Sequence, residues 1–393
     1  MDKNNGAIYD ARKLGKPKMI ILGVQHMFAM FGATILVPIL TGLDISTTLL
    51  MAGLGTLLFH CITKFKVPAF LGSSFAFLGG YAAIKAFSPN DPNSMLPYAC
   101  LGVACAGLIY FILAAVIKAV GIEKVMRFFP PVVTGPIIIA IGLGLAPSAV
   151  SNCTTNWFLA VVALAVIVVF NIWGKGMAKI IPIILGLLIS YGTGLVLYFI
   201  SQANPDLIQN VPWLFAGGAD ANGVYQPIFD FTSLNTICDN ISKGHIFGSE
   251  GLIGIPIHWD KTVFGGIDYS NGALIASSII AIVPIAFATM MEHIGDICAI
   301  SSTTGNNYIK DPGLHRTLVG DGLATTLASL FGGPANTTYG ENTGVLALTR
   351  VYDPRVIRIA AYFAVAVSFF PIVSVIIGSI PSCIIGGGFC FVF

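Results

Sequence analysis

Charge is scarce in this chain: Asp, Glu, Lys and Arg make up 10% of its 393 residues, against roughly 25% in an ordinary soluble domain. A soluble globule of this size is excluded. The sign balance is equally thin, 20 basic against 18 acidic residues, and the basic ones are dispersed. No basic face for nucleic acid can form. Cysteine chemistry is missing too, because the eight cysteines show no CxxC and no Cys/His metal spacing. Most lie in apolar runs, where Cys behaves as a small hydrophobe. Neither a disulfide scaffold nor a metal site is expected. Cys153 and Cys238, both in expected outer loops, leave a single bridge open. GxSxG, HExxH and paired-histidine motifs are lacking as well, so a membrane-embedded enzyme has little support. With 55% apolar residues, the remaining class is an all-α polytopic membrane protein.

Apolar stretches long enough to cross roughly 30 Å of hydrocarbon run near 19–40, 47–63, 98–117, 132–150, 157–173, 180–200, 273–291, 317–331 and 359–377. Two more, 68–84 and 334–349, are interrupted by Gly, Ser, Thr and Pro, and a twelfth begins at Pro381. The first is too long for a signal-peptide core and further spans follow it. With all twelve counted and the N-terminus inside, every basic residue except Lys85, Lys243 and Lys261 falls on the cytoplasmic side. Dropping either interrupted stretch would scramble that separation, so the positive-inside rule supports both count and orientation. The expected organisation is a cytoplasmic N-terminus (1–18), a first repeat (19–200), an extracellular insertion (201–272) and a second, incomplete repeat (273–393).

The repeat rests on two matches. Gln25-His26 precedes Pro68-Ala69 by 43 residues and Glu292-His293 precedes Pro334-Ala335 by 42, at offsets of 267 and 266. Interrupted hydrophobic segments at matching places in two halves point to a transporter site built from inverted repeats. A seven-span unit, being odd, inverts its second copy. Spans one and eight then correspond, as do three and ten. Half-helices beginning near Phe75 and Glu341 would aim unpaired N–H groups and positive dipole ends at one central point.

Four acids remain inside the membrane: Glu292, Asp296, Asp321 and Glu341. Carboxylates there are functional candidates by default. Glu292 and Asp296 are four apart, hence on one helical face. With Glu341 they could meet at one site, where like charges would hold a proton on one of them near neutral pH and couple it to substrate. Asp321, near the cytoplasmic end of its span, is expected to be solvated or helix-bonded. His26 and His293 are expected to pack between helices, and His60 and His315 to be interfacial. Phe75 and Tyr339 suit packing as well as ligand contact.

At these residues the sequence resembles the nucleobase–ascorbate transporter (nucleobase:cation symporter 2) family, and within it the bacterial uracil permease branch. Glu341-Asn342-Thr343-Gly344 to Thr349-Arg350 meets the family signature. QHMFAMFGATILVP (25–38), PAFLGSSFAF (68–77), DPGLHR (311–316) and NTTYGEN (336–342) resemble the uracil branch. The resemblance implies two inverted seven-span repeats, with spans 3 and 10 broken into a short strand plus half-helix. It implies core and gate domains and, often, a homodimer in the cell membrane. It places the substrate uracil at Glu292, Glu341 and the backbones of Phe75 and Gly340, with Tyr339 and Ser74 close by. The partners are then uracil, a proton and membrane lipid, with no cofactor and no nucleic acid. Uracil's two N–H donors suit carboxylates and its two carbonyls suit backbone N–H groups. Two departures stand out. The permeases of this branch carry His where this chain has Asp296, and they continue for about two further spans beyond Phe393. The alternatives are a purine or xanthine permease of the same family, which usually has Gln at position 341, and an anion transporter of the same seven-plus-seven fold. An anion site should not present carboxylates.

Overall fold

The computed structural model describes residues 7–121, 124, 136, 139, 143, 146–147, 149–179, 181–220 and 222–392, and only the backbone of Ala33, Met177, Glu341, Phe389, Phe391 and Val392. The expected span 132–150 lies largely outside the described residues. The elements are α1 (Lys16–Thr41), α2 (Ile45–Ile62), β1 (Leu71–Ser73), α3 (Leu78–Lys85), α4 (Leu96–Val120), α5 (Trp157–Trp173), α6 (Pro182–Ala203), β2 (Ala216–Ala219) and β3 (Tyr225–Pro227). They continue with α7 (Thr232–Ser242), α8 (Gly272–Ile282), α9 (Ile285–Thr304), α10 (Leu314–Leu330), β4 (Asn336–Thr338), α11 (Gly340–Thr349), α12 (Pro354–Ser368), α13 (Pro371–Gly378) and α14 (Ser382–Val392). Among the described residues, five helical segments are long and apolar enough to cross a membrane: α1, α2, α4 with the turn before it, α6, and α8 with α9.

Two compact units result, Met1–Ile138 with Ile255–Phe370, and Ile139–Gly254 with Pro371–Phe393. The division between the units falls between Gly254 and Ile255, within residues 201–272. The expected run 359–377 is likewise not one helix. Helix α12 stops at Ser368 and α13 starts at Pro371, since proline has no N–H to continue the ladder.

In the first unit α10 packs along α4, and α2 packs along both α10 and α12. Hydrocarbon gives helices no hydrophobic reason to associate, so close backbone approach through small residues does the work. A Cβ on Gly107 of α4 would come within 2.7 Å of the Gly322 carbonyl of α10, and one on Gly322 within 2.6 Å of the Gly107 carbonyl. The two glycines therefore set this crossing from both sides. Gly53 of α2 does the same against the Ala361 carbonyl of α12 at 2.7 Å.

Ahead of α1, the N-terminal segment clasps this unit at one end. Ile8 exchanges backbone bonds with Arg350 and Tyr352, both 2.8 Å. The Ala11 N–H and the Arg355 guanidinium both donate to the carboxylate of Asp353, and the Tyr9 hydroxyl donates to the Thr304 carbonyl at 2.7 Å. The Arg12 side chain, bonded to Asp10, lowers the Asp10 carboxyl to about 2. Its contribution is present above the ordinary carboxylate range and fades only as pH falls towards that value.

In the second unit α5, α6 and α14 pack around Leu159, Ala163, Leu187 and Ile384. Asn156 caps α5 by accepting from the Leu159 N–H and ties it to β2 by donating to Ala216 O. The bridge left open between Cys153 and Cys238 is not formed. Both are free thiols, Cys238 is exposed on α7, and buried Cys153 has the Cys390 sulfur 3.9 Å away.

The glycine crossing makes a prediction. Gly107→Val should lower the unfolding free energy by about 1–3 kcal/mol, the usual cost of overpacking a tight contact. Thermal unfolding of the detergent-purified protein checks this, and an unchanged midpoint would mean that α4 and α10 can part without loss.

Candidate functional site

The site grows from two very short strands. β1 and β4 pair antiparallel, Leu71 with Thr338, Gly72 with Thr337 and Ser73 with Asn336. The ladder continues past both ends, with Ser74 N–H donating to Ala335 O and Tyr339 N–H to Phe70 O. Every residue of both strands is buried, so their outer edges also need partners. Helix side chains supply them. The Thr56 hydroxyl of α2 donates to Leu71 O and accepts the Leu71 N–H. Thr325 of α10 donates to Asn336 O, and the Asn336 side chain donates to Met51 O. Each strand leads into a helix, through the turn Phe75–Phe77 into α3 and directly into α11.

Helix α9 passes beside these starts. Glu292 and Gly295 are exposed and Asp296 is half-buried, while His293 and Ile297 on the opposite side are buried. Asp296 is held by the Thr338 hydroxyl, which donates to its Oδ2 at 2.8 Å. Its Oδ1 lies 3.7 Å from where a side chain on Gly340 would begin. Glycine there leaves the first turn of α11 open beside the carboxylate. Phe75 is half-buried and its turn packs against α9. Ser74 is buried at the head of that turn, with no hydrogen-bond partner for its hydroxyl among the described residues. Tyr339 is buried over Gly72, and its hydroxyl donates to Ser73 O at 2.8 Å. Glu341 stands in the first turn of α11, but its side chain lies outside the described residues. The structure therefore brings Asp296 beside Gly340, packs the turn that begins at Phe75 against α9, leaves Glu292 exposed one turn before Asp296, and turns Tyr339 back onto β1.

Behind the strands is a polar cluster that sequence reasoning missed. Asp321 is fully buried on α10 rather than solvated. Its Oδ2 lies 3.4 Å from both His293 Nδ1 and the Thr337 hydroxyl. His60 is buried rather than interfacial, its Nε2–H donating to Ala69 O at 2.9 Å. His26 packs between helices, as expected, and its Nδ1 meets the side-chain oxygen of Asn342 at 2.8 Å. The run Asn336-Thr337-Thr338, three consecutive polar residues in an otherwise apolar stretch, is the signal that could have found it.

The Permease family profile matches residues 17–393. This chain belongs to that family. The uracil permease of Bacillus caldolyticus is 37% identical over 379 residues, covering 94% of this chain and 75% of that protein. The probable uracil permease of Haemophilus influenzae is 36% identical over 392 residues, 98% of this chain and 80% of its own length. The putative pyrimidine permease RutG of Escherichia coli is 34% identical over 392 residues, 99% and 78% respectively. The resemblance read from the motifs is thereby borne out. Among solved structures, the transmembrane domain of the cyanobacterial bicarbonate transporter BicA superposes with TM-score 0.61 at 14% identity, covering 98% of this chain and 89% of that one. SLC26A9 gives TM-score 0.51 at 11% identity, over 97% and 57%. These likenesses are of fold alone. Family membership and the apolar helices make this permease-family chain a multi-pass protein of the cell membrane.

The strand edges yield a second prediction. Thr56→Val removes the hydroxyl that serves both polar groups of Leu71, so stability should fall by about 1–3 kcal/mol, the cost of leaving a buried backbone group unpaired. Thr56→Ser should restore most of it. Equal thermal midpoints for the Val and Ser variants would leave the hydroxyl with no role.

Proposed function

We propose that this chain takes up uracil across the cell membrane together with a proton, by alternating access. The observation that carries this reading is the corner where the Asp296 carboxylate of α9 stands beside the start of α11, in a chain related to proteins named uracil permeases. Uracil presents two N–H donors and two carbonyl acceptors on a small ring. Glu292 and Glu341 accept from the ring N–H groups, and the backbone N–H groups of Phe75 and Gly340, at helix starts with positive dipole ends, serve the carbonyls. Ser74 and Tyr339 border the ring. Asp296 shares the proton-coupling role with Glu292, since two carboxylates one turn apart do not both ionise readily in a poorly hydrated site.

Two inverted seven-span repeats, 19–200 and 273–393, account for this arrangement, with β1 and α3 forming broken span 3, and β4 and α11 broken span 10. The antiparallel pairing of β1 with β4 supports that reading. The unit holding both strands then acts as the core domain and the other as the gate. Residues 201–272 are extracellular, the N-terminus is cytoplasmic and the working form is a homodimer.

Isotope uptake into proteoliposomes, with uracil, xanthine and sulfate as competitors, tests the substrate. Uracil should compete best. Stronger competition by xanthine would move the chain to the purine branch, and by sulfate to the anion transporters of similar fold. Glu341→Gln turns an acceptor-only group into one that also presents donors, so uracil affinity should fall by about tenfold or more, the price of a mismatched buried hydrogen bond. Unchanged affinity by isothermal titration would reduce Glu341 to a structural residue.

A further inference from the structure

Behind the site, four polar side chains lie in a line. Asp321 Oδ2 lies 3.4 Å from His293 Nδ1, His293 Nδ1 lies 3.4 Å from the Thr338 hydroxyl, and that hydroxyl donates to Asp296 Oδ2 at 2.8 Å. The directions are fixed by chemistry. A carboxylate can only accept, so Thr338 spends its proton on Asp296 and turns a lone pair to His293, whose Nδ1 must then carry a hydrogen to meet either neighbour. The Thr337 hydroxyl completes the set by donating to Asp321 Oδ2 at 3.4 Å.

Burial raises the stakes. His293 and Asp321 are fully buried, and His293 Nε2 and Asp321 Oδ1 have no hydrogen-bond partner among the described residues. No Lys or Arg occurs between residues 262 and 309 or between 317 and 349, so no basic side chain in α9, β4 or α11 can neutralise Asp321. The titratable groups facing the pair are few. Glu292 and Asp296 are on α9 itself. Tyr110 of α4 donates its hydroxyl to Thr289 and faces Asp321 and Glu292. On α2, His60 is separated from His293 by the ring of Phe59. Among the described residues, His293 is the side chain placed to carry a positive charge beside Asp321.

We propose that His293 and Asp321 form a proton-holding site joined to Asp296 through the Thr338 hydroxyl, giving one proton two seats. In the first seat it makes His293 an imidazolium beside the Asp321 carboxylate. In the second, His293 Nδ1 gives its hydrogen to Thr338 Oγ1 while Thr338 gives its own to Asp296 Oδ2. His293 is left neutral with hydrogen on Nε2, Asp296 becomes a carboxylic acid, and the charges balance. The 3.4 Å link between His293 Nδ1 and Thr338 Oγ1 must shorten to an ordinary hydrogen bond, and the Nδ1 hydrogen must turn from Asp321 to Thr338, before the proton can move. Thr338 stands two residues before the start of α11, so a shift of that helix start makes or breaks the wire. This deepens the proposed proton-coupled uptake and rests on it for its role in transport, though not for the protonation itself.

Two measurements on the full chain test it. Nitrogen-15 spectra of histidine-labelled protein in lipid bilayers, with the His293 signal assigned by its loss in His293→Gln, need no substrate. At neutral pH the parent and Thr338→Val should show His293 doubly protonated, and Asp321→Asn should show it neutral. A neutral His293 in the parent, or the same state in parent and Asp321→Asn, overturns the proposal. In proteoliposomes, Asp321→Asn, His293→Gln and Thr338→Val should each keep uracil exchange while losing about tenfold of accumulation driven by a pH gradient, a typical size for coupling between two sites. Accumulation with a parental pH profile in all three also overturns it. Should the parent take up no uracil, the substrate reading fails, and the histidine spectra still decide the proton site.

Discussion

Six residues in two strands impose the governing constraint on this structure. Leu71–Ser73 and Asn336–Thr338 carry extended backbone into a buried, apolar setting, where each unpaired N–H or C=O costs several kcal/mol. Neither strand would persist alone. Each satisfies the other on its inner edge, and the hydroxyls of Thr56 and Thr325 serve the outer edges at Leu71 and Asn336. Because the ladder has to form, parts of the chain far apart in sequence meet in one register. The starts of α3 and α11 and the position of Thr338 follow from that register.

Helix α9 turns the constraint into chemistry. At about 100° per residue, neighbours in sequence face different surroundings, so Glu292 is exposed while His293, the next residue, is buried against Asp321. Asp296 sits at the corner between the two faces, exposed enough to meet the site and still held by Thr338. In the proposed reading, one face deals with the nucleobase and the other with the proton. The coupling between them is a matter of one helix and one hydroxyl.

Similarity of fold does not decide the cargo. The bicarbonate transporter domain shares the backbone plan at 14% identity, yet function resides in the side chains grafted on such a plan. In the proposed reading those side chains are acidic, which favours a ligand rich in N–H donors over an anion.

Much of this was legible in the residues. Scarce charge and long apolar runs determine the membrane class, because the cost of burying ions in hydrocarbon leaves few other places for such a chain. The same scarcity singles out the four intramembrane acids. The period of a helix puts Glu292 with Asp296, and the near-equal offsets of the two matches, 267 and 266, mark both interrupted stretches. Tertiary structure alone decided the rest. A three-residue strand has no periodicity to read, so the pairing of β1 with β4 was invisible, and with it the Thr56 and Thr325 caps. Position near the end of an apolar run hints at depth but says nothing of neighbours, which is why Asp321 reads as solvated or helix-bonded and His60 as interfacial, while both prove buried. Cys153 likewise lies near Cys390 and not Cys238. Local sequence dictates which face a residue occupies; what that face meets depends on contacts between segments remote in the chain, settled only when every buried polar group has found a partner.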